Sequence, residues 1–221
     1  MAEQMAFLSS ACSTALFAIF LILVAQFNSM ISPFIIILSI VFSTIGVFLG
    51  YVFTGMDLVI VMTGVGIISL AGIVVNNAIV LVDYVNLLVQ RKRESLGYED
   101  MSQLTKEQVK SAIIDGGGTR LRPVLLTAIT TVLGLIPLAI GLNINFFTLI
   151  SDLDPQYFVG GDNAAFWGTM AWTVIYGLVF ATFLTLVVVP VMYWLAYRAK
   201  MLVMGALGSN KVVAEVEAAK V

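Results

Sequence analysis

The chain carries very little charge. Asp, Glu, Lys and Arg make up only 11% of its 221 residues, whereas 60% are hydrophobic, and the mean hydropathy is +1.04. A soluble domain carries about 25% charged residues. Because so little charge cannot cover a water-facing surface, we interpret the chain as an integral membrane protein whose first partner is the lipid bilayer. The formal net charge of −2 gives no reason to expect a nucleic-acid partner.

Histidine is absent, and Cys12 is the single cysteine. The first absence excludes imidazole metal sites and Ser–His or Cys–His catalysis within this chain, and the second excludes an intrachain disulfide. Cys12 lies in an apolar stretch, where we interpret it as a small hydrophobic residue rather than a reactive thiol. No nucleophile–base pair or metal cluster is visible, so the sequence predicts no cofactor and does not favour an enzyme.

Basic residues are also missing from the first ninety positions. They cluster at 91–122 and again after Tyr197. Because Lys and Arg mark cytoplasmic loops, both regions are predicted to be cytoplasmic, with the N-terminus outside and the C-terminus inside. The loop at 143–163 has no base and is predicted to lie outside. That loop carries Asp152, Asp154 and Asp162. An outside start without positive charges leads us to expect that the chain begins in the middle of something larger.

Long apolar runs are abundant. A membrane-spanning helix needs about 20 largely apolar residues, and five segments meet that requirement, so we predict an all-α, polytopic membrane helix bundle at residues 1–200. The predicted spans are 8–27, 33–53, 58–90, 123–142 and 166–197. The third is expected to continue into the cytoplasm, and Pro190 is expected to bend the fifth near the inner face. Residues 201–221 are predicted to form a mobile, weakly helical cytoplasmic tail.

An amphipathic segment precedes the fourth span. Thr105 and Gln108 have the spacing of a capping box at a helix start. Three apolar residues then form a stripe: Val109, Ala112 and Ile113. We predict a short helix at about 105–116 that lies on the cytoplasmic interface and ends at the three glycines of 116–118. The glycines also suggest a phosphate-binding loop, but the Lys-Ser/Thr that such a loop requires is missing.

The third span, which contains LAGIVVNNAIVLVDYV, is apolar but interrupted by polar residues. Four positions follow helical rows and should share one face: Ser69, Gly72, Asn76 and Asp83. Asn76 and Asn77 have two interpretations. They either hydrogen-bond to neighbouring helices, at a net gain of about 0.6 kcal/mol per bond, or line a polar path for ions. Asp83 lies toward the inner end, where it can reach lipid headgroups or the bases at 91–93.

The fourth span opens with TRLRPVLLTAITT. Arg120 and Arg122 are expected to anchor to lipid phosphate. Thr127, Thr130 and Thr131 lie deeper, and threonines in helices usually bond to their own backbone carbonyls. Alternatively, Arg120 and Thr127 share a face and form a polar column that reaches toward mid-membrane. No Asp or Glu lies near the middle of any predicted span, so a carboxylate that could carry protons is missing.

These motifs resemble a known family. GIVVNNAIVLVDY, then the basic amphipathic stretch, then TRLRPVLLTAITTVLGLIPLAIG resemble the C-terminal membrane half, spans 8–12, of resistance-nodulation-division efflux transporters. The similarity is greatest to the hydrophobe/amphiphile (AcrB-like) branch, and LFAIFLILVAQFNSMISPFIIILSI resembles the helix that follows the second periplasmic domain there. The resemblance covers roughly residues 6–198. The outer loop and last span are similar to those of Bacteroidetes-type bacteria.

The resemblance implies a multi-pass protein of the bacterial inner membrane. A full family protomer has twelve spans and two periplasmic porter domains, assembles as a trimer, and moves protons through two aspartates of its fourth span. Those aspartates are absent here. Asn76 occupies the place of a relay lysine, whereas Arg120 and Thr127 match the relay arginine and threonine. An ion-pair relay therefore lacks its lysine, and a hydrogen-bonded version is the alternative.

Three hypotheses follow. In the first, the chain is the C-terminal part of a proton-driven antiporter, and a second polypeptide supplies the missing spans and porter domains. In the second, it is a stand-alone membrane scaffold, a regulator or an assembly subunit. In the third, it is a truncated remnant without transport activity. The sequence predicts no substrate, because it lacks the porter domains that would select one.

Overall fold

The computed structural model describes residues 2–27, 31–98, 104–145, 150–151 and 156–218, with the backbone alone at 2, 163, 200 and 202–218. Five long helices dominate these ranges. They are α1 (Ala2–Phe27), α2 (Ile31–Thr54), α3 (Ile60–Ser95), α4 (Lys106–Ile140) and α5 (Asp162–Ala218). Each contains a stretch long and apolar enough to cross a membrane. The predicted all-α membrane bundle is therefore confirmed.

Helix α5 lies at the centre of the bundle and packs extensively against α2, α3 and α4, whereas α1 packs loosely against α2 and α3. Close approach of α2 and α5 depends on small residues. A Cβ at Gly46 would overlap Phe180, and one at Gly50 would overlap Tyr176. Helices in a bilayer associate through such close van der Waals packing, since lipid tails are as apolar as the helix surfaces.

The amphipathic segment is helical, but it is not a separate helix. Its predicted capping box is present: the Gln108 backbone N–H donates to Thr105 Oγ1 at 3.4 Å, and the Thr105 N–H donates to Gln108 Oε1 at 2.9 Å. The prediction that the helix ends at residues 116–118 is wrong, because α4 continues unbroken through them into the fourth span. A helical glycine costs about 1 kcal/mol relative to alanine. Packing offsets this cost at Gly116, which is buried and lies directly against Val85 of α3.

The apolar stripe of this segment faces protein. Val109 and Ile113 are buried in one cluster with Val85 and Val89 of α3. Ala112, between them, is buried in the same cluster. The Tyr197 hydroxyl of α5 donates to the carbonyl oxygen of Leu104 at 3.1 Å, just before the helix starts. The stripe therefore docks onto the end of α3, while the location of this segment at the cytoplasmic interface stays a prediction.

The outer connection and the last helix also differ from the predictions. Helix α4 ends at Gly141, whose φ of 71° is left-handed. Strands β1 (Leu142–Asn143) and β2 (Phe158–Val159) then pair antiparallel. Helix α5 continues through Pro190, where the expected bend stays a prediction, and its backbone stays helical through residues 201–218 of the predicted weakly helical tail. Asp152, Asp154 and residues 219–221 lie outside the described ranges.

Candidate functional site

Two polar contacts join α3 and α4. The Thr127 hydroxyl lies 3.4 Å from Asn77 Oδ1 and also donates to the carbonyl oxygen of Val124 at 2.9 Å. Asn77 is buried, with 8% of its surface exposed. The resemblance gave Asn76 and Thr127 as relay positions; within the described bundle Thr127 contacts Asn77. Consecutive helical residues differ in direction by about 100°, and it is Asn77 that points toward α4.

The second contact lies two turns away. The guanidinium carbon of Arg120 lies 4.3 Å from the centre of the Tyr84 ring, an arrangement typical of cation–π attraction. Tyr84 and Asn77 are seven residues apart on α3, as are Arg120 and Thr127 on α4. The helices therefore run antiparallel in one register, and the contacts are about 10 Å apart along the helix axis. We call these four residues the α3–α4 seam; it places Arg120 and Thr127 on one face, as predicted.

Arg120 is not fully satisfied within the seam. Its Nε atom is buried without a hydrogen-bond partner among the described residues. A buried N–H of a charged group that lacks a partner is costly. The same side chain is only partly buried as a whole, whereas Arg122 is exposed. The seam therefore leaves one charged donor, the Nε of Arg120, unused among the described residues.

A strip of polar residues runs beside the seam on α3. All four positions predicted to share one face are exposed: Ser69, Gly72, Asn76 and Asp83. A Cβ at Gly72 would meet no atom within 4 Å, so none of the described helices covers this strip. Asp83 was expected to reach lipid headgroups or the bases at 91–93; among those bases Arg93 lies 3.9 Å from its neighbour Glu94, and the contact with headgroups stays a prediction. The strip is thus a polar surface on a helix that is long and apolar enough to span a membrane.

The deeper threonines of α4 bond within their own helix. The Thr130 hydroxyl donates to the carbonyl oxygen of Leu126 at 2.9 Å. The Thr131 hydroxyl donates to that of Thr127 at 2.7 Å. This confirms the backbone-bonding interpretation for both residues. Neither is needed to explain the seam.

Sequence reasoning missed a buried cluster of hydroxyl groups. Tyr51 of α2 is 3% exposed, and its hydroxyl lies 2.7 Å from Thr173 Oγ1 of α5, 3.3 Å from Thr63 Oγ1 of α3 and 3.1 Å from the carbonyl oxygen of Thr169. The Tyr51 ring also meets Tyr176 edge-on, with 5.7 Å between ring centres. This cluster joins three helices. In the sequence, the residues of this cluster are only hydroxyl residues scattered over three spans, with no spacing that links them.

Among the described residues, no group of three or more His, Cys, Asp or Glu side chains could hold a metal ion. The arrangement that combines burial, charge and polar contact is therefore the α3–α4 seam with the exposed strip beside it. It can position hydrogen-bond donors at mid-helix depth. The carboxylate of the strip, Asp83, lies seven residues from Asn76, about 10 Å along the axis of α3, so a carboxylate at the level of Asn76 would have to approach from outside the described bundle.

The AcrB/AcrD/AcrF family model matches residues 2–145. The swarming motility protein SwrC of Bacillus subtilis is 34% identical over 192 residues, which are 87% of this chain and 15% of that protein. The cobalt-zinc-cadmium resistance protein CzcA of Cupriavidus metallidurans is 32% identical over 184 residues, 83% of this chain and 14% of that protein.

A crystal structure of a heavy metal efflux pump is also similar. It has a TM-score of 0.57 and 28% identity, and it covers 81% of this chain and 14% of that chain. The present chain thus spans only about one seventh of the length of these proteins.

Proposed function

Because the chain belongs to the AcrB/AcrD/AcrF family of resistance-nodulation-division transporters, we propose that it is one membrane part of a proton-driven efflux transporter. It acts together with the spans and porter domains that lie in the remainder of its relatives' length. Substrate selection then belongs to those porter domains. The names of the relatives cover cobalt, zinc and cadmium resistance as well as swarming motility.

The observation that carries this proposal is the uncovered polar strip of α3. Exposing a polar side chain to lipid at membrane depth is costly, and such residues usually face protein or water. Asn76 and Asp83 are both exposed here. A further helix that covers the strip would remove this cost, and Gly72 would let it approach closely.

The chemistry of the strip and the seam favours a partner that carries carboxylates. The Nε of Arg120, buried and without a hydrogen-bond partner among the described residues, is a donor that the seam leaves unused. Asn76 can donate and accept a hydrogen bond but carries no charge. A partner carboxylate at this level could therefore bond to Asn76 when ionised or protonated. In this hydrogen-bonded relay, Thr127 and Asn77 hold α4 in register.

The positions of the basic residues support an assignment of each terminus to one side of the membrane. With Arg91, Arg120 and Arg122 at the cytoplasmic side of an inner membrane, the N-terminus lies in the periplasm and the C-terminus in the cytoplasm. The strands β1 and β2 then lie at the periplasmic side. We propose that the full assembly is a trimer, as the family resemblance implies.

Co-purification tests this proposal. An affinity-tagged chain, extracted in mild detergent from the bacterium that encodes it, should bring down one stoichiometric polypeptide that contains further spans and large soluble domains. Gly72→Leu should abolish this capture, because the leucine would occupy the approach path on the strip. Ala18→Leu, an equivalent enlargement at an exposed position of α1, is the control and should leave capture unchanged.

The transport activity of the captured assembly provides a second test of the proposed function. Proteoliposomes that contain it should dissipate an imposed pH gradient in the presence of substrate. Asn76→Val should lower the rate of this dissipation at least tenfold. The chain reconstituted alone should show no gradient-driven transport of a dye above protein-free liposomes. Robust transport by the chain alone, or full activity of the assembly with Asn76→Val, contradicts the proposal.

A further inference from the structure

Helix α5 buries a hydroxyl group that no described residue satisfies. Thr185 is 1% exposed, and its Oγ1 atom has no hydrogen-bond partner among the described residues. The neighbouring buried threonine behaves differently, because the Thr182 hydroxyl donates to the carbonyl oxygen of Leu178 at 2.7 Å. A buried hydroxyl that lacks a partner is costly, so the exception at Thr185 calls for a ligand that can bond to it.

Helices α3 and α5 run parallel and keep one register along their length. At one end of the contact, a Cβ at Gly66 of α3 would overlap the side chain of Thr173 of α5. Toward the other end, the Tyr193 hydroxyl of α5 donates to Asn86 Oδ1 of α3 at 2.7 Å. Both residues of the second contact stand twenty positions after those of the first. A level on α3 can therefore be matched to a level on α5.

In this register, Thr185 lies level with Ala78 of α3, since each stands twelve positions after the first of these contacts. Asn77, the residue before Ala78, is also buried. Its contact with Thr127 uses only the amide oxygen, so its amide N–H groups remain available as donors. A buried hydroxyl and a buried amide thus lie at one level of two adjacent helices, without a direct bond from the hydroxyl to any described residue.

Pro190 supplies a hydrogen-bond acceptor close to the same level. Proline has no backbone N–H, so the carbonyl oxygen of Leu186, four residues earlier in α5, loses its usual helical partner. In spanning helices, carbonyls freed in this way are satisfied by neighbouring side chains or by ordered water. Leu186 directly follows Thr185. The hydroxyl, the amide and the freed carbonyl together provide the two to four polar partners that a buried water molecule needs.

We propose that one water molecule is bound between α3 and α5 at the Thr185 hydroxyl. It bonds to that hydroxyl, accepts a hydrogen bond from Asn77 Nδ2 and donates one to the carbonyl oxygen of Leu186. Because Asn77 also contacts Thr127, the water links the central helix α5 to the α3–α4 seam. This site lies within the chain itself and does not depend on the proposed efflux function.

Thr185→Val tests the water site, because it removes the hydroxyl and nearly keeps the shape of the side chain. If the hydroxyl were simply unsatisfied, its removal would stabilise the protein. With a water bound there, removal loses interhelical bonding and should raise the equilibrium constant for unfolding by sodium dodecyl sulfate about threefold. Thr182→Val is the matched control, since that hydroxyl bonds to its own helix, and it should leave the constant unchanged.

A double variant tests whether Asn77 is the partner on α3. In an Asn77→Val background, Thr185→Val should no longer raise the unfolding constant, because the bridge is already broken. If Thr185→Val does not yield folded protein by circular dichroism, Thr185→Ala compared with Thr182→Ala repeats the test and should show the same threefold difference.

An experimental structure that resolves ordered water should show one molecule within hydrogen-bonding distance of both Thr185 Oγ1 and Asn77 Nδ2. The proposal is overturned if that structure shows the Thr185 hydroxyl bonded to protein alone. It is equally overturned if Thr185→Val stabilises the chain or matches Thr182→Val, or if its effect is undiminished in the Asn77→Val background.

Discussion

Removing one hydroxyl from the buried cluster at Tyr51 should measurably loosen the bundle. Tyr51→Phe keeps the ring that meets Tyr176 and deletes only the hydroxyl that joins α2 to α3 and α5. Its shortest contact is the 2.7 Å bond with Thr173, while those to Thr63 and the Thr169 carbonyl are 3.3 and 3.1 Å. Thr173 keeps a bond of its own to the Thr169 carbonyl at 2.8 Å.

The loss is therefore close to that of one good interhelical bond. Such bonds in membrane proteins average about 0.6 kcal/mol, with a maximum near 1.7, so we expect Tyr51→Phe to lower the free energy of unfolding by about 1 kcal/mol. Reversible unfolding by sodium dodecyl sulfate in mixed micelles, followed by circular dichroism, measures this value. Tyr157→Phe is the control, because Tyr157 is 72% exposed. A loss no larger than that of the control, or one above about 3 kcal/mol, would refute this account of the cluster.

The same unfolding assay tests three further contacts. Gly46→Ala should lower the free energy of unfolding by about 1–3 kcal/mol, because the added Cβ would overlap Phe180 of α5. Gly72→Ala should raise it by about 0.5–1 kcal/mol, because the added Cβ meets open space and alanine favours the helix. Thr105→Ala should cost about 1 kcal/mol through loss of the capping box, and amide hydrogen exchange should quicken in the first turn of α4 only. Asn77→Val should lower the free energy of unfolding by about 0.6 kcal/mol, while Asn76→Val should change it by less than about 0.5 kcal/mol. Equal losses of unfolding free energy at the two asparagines would contradict the assignment of Asn77 to the seam.

Local patterns predicted much of this fold. Hydropathy gave the five helices, and the spacing of Thr105 and Gln108 gave the start of α4, because both depend on residues close in sequence. The 3.6-residue period also placed Ser69, Gly72 and Asn76 on one face, since a shared face needs no knowledge of neighbouring helices.

The features that sequence reasoning missed depend on contacts between distant residues. Glycines usually end helices, and only the contact between Gly116 and Val85 shows why α4 continues. The Tyr51 cluster joins residues 12 and 122 positions apart. Motif similarity gave Asn76 and Thr127 as relay positions, but it cannot tell which side of α3 the neighbouring helix occupies.

The two adjacent asparagines of α3 differ in role because they point in different directions. Asn77 lies under α4, and its contact with Thr127 falls in the same antiparallel register as that of Tyr84 with Arg120. Asn76 lies about 100° further round the helix and faces away from the described bundle. One side chain thus serves the seam inside this chain, while the next is available to whatever covers the strip. Because they are consecutive on one rigid helix, a group that binds Asn76 is held at the same level of α3 as the contact between Asn77 and Thr127, and about 10 Å along the axis from Arg120.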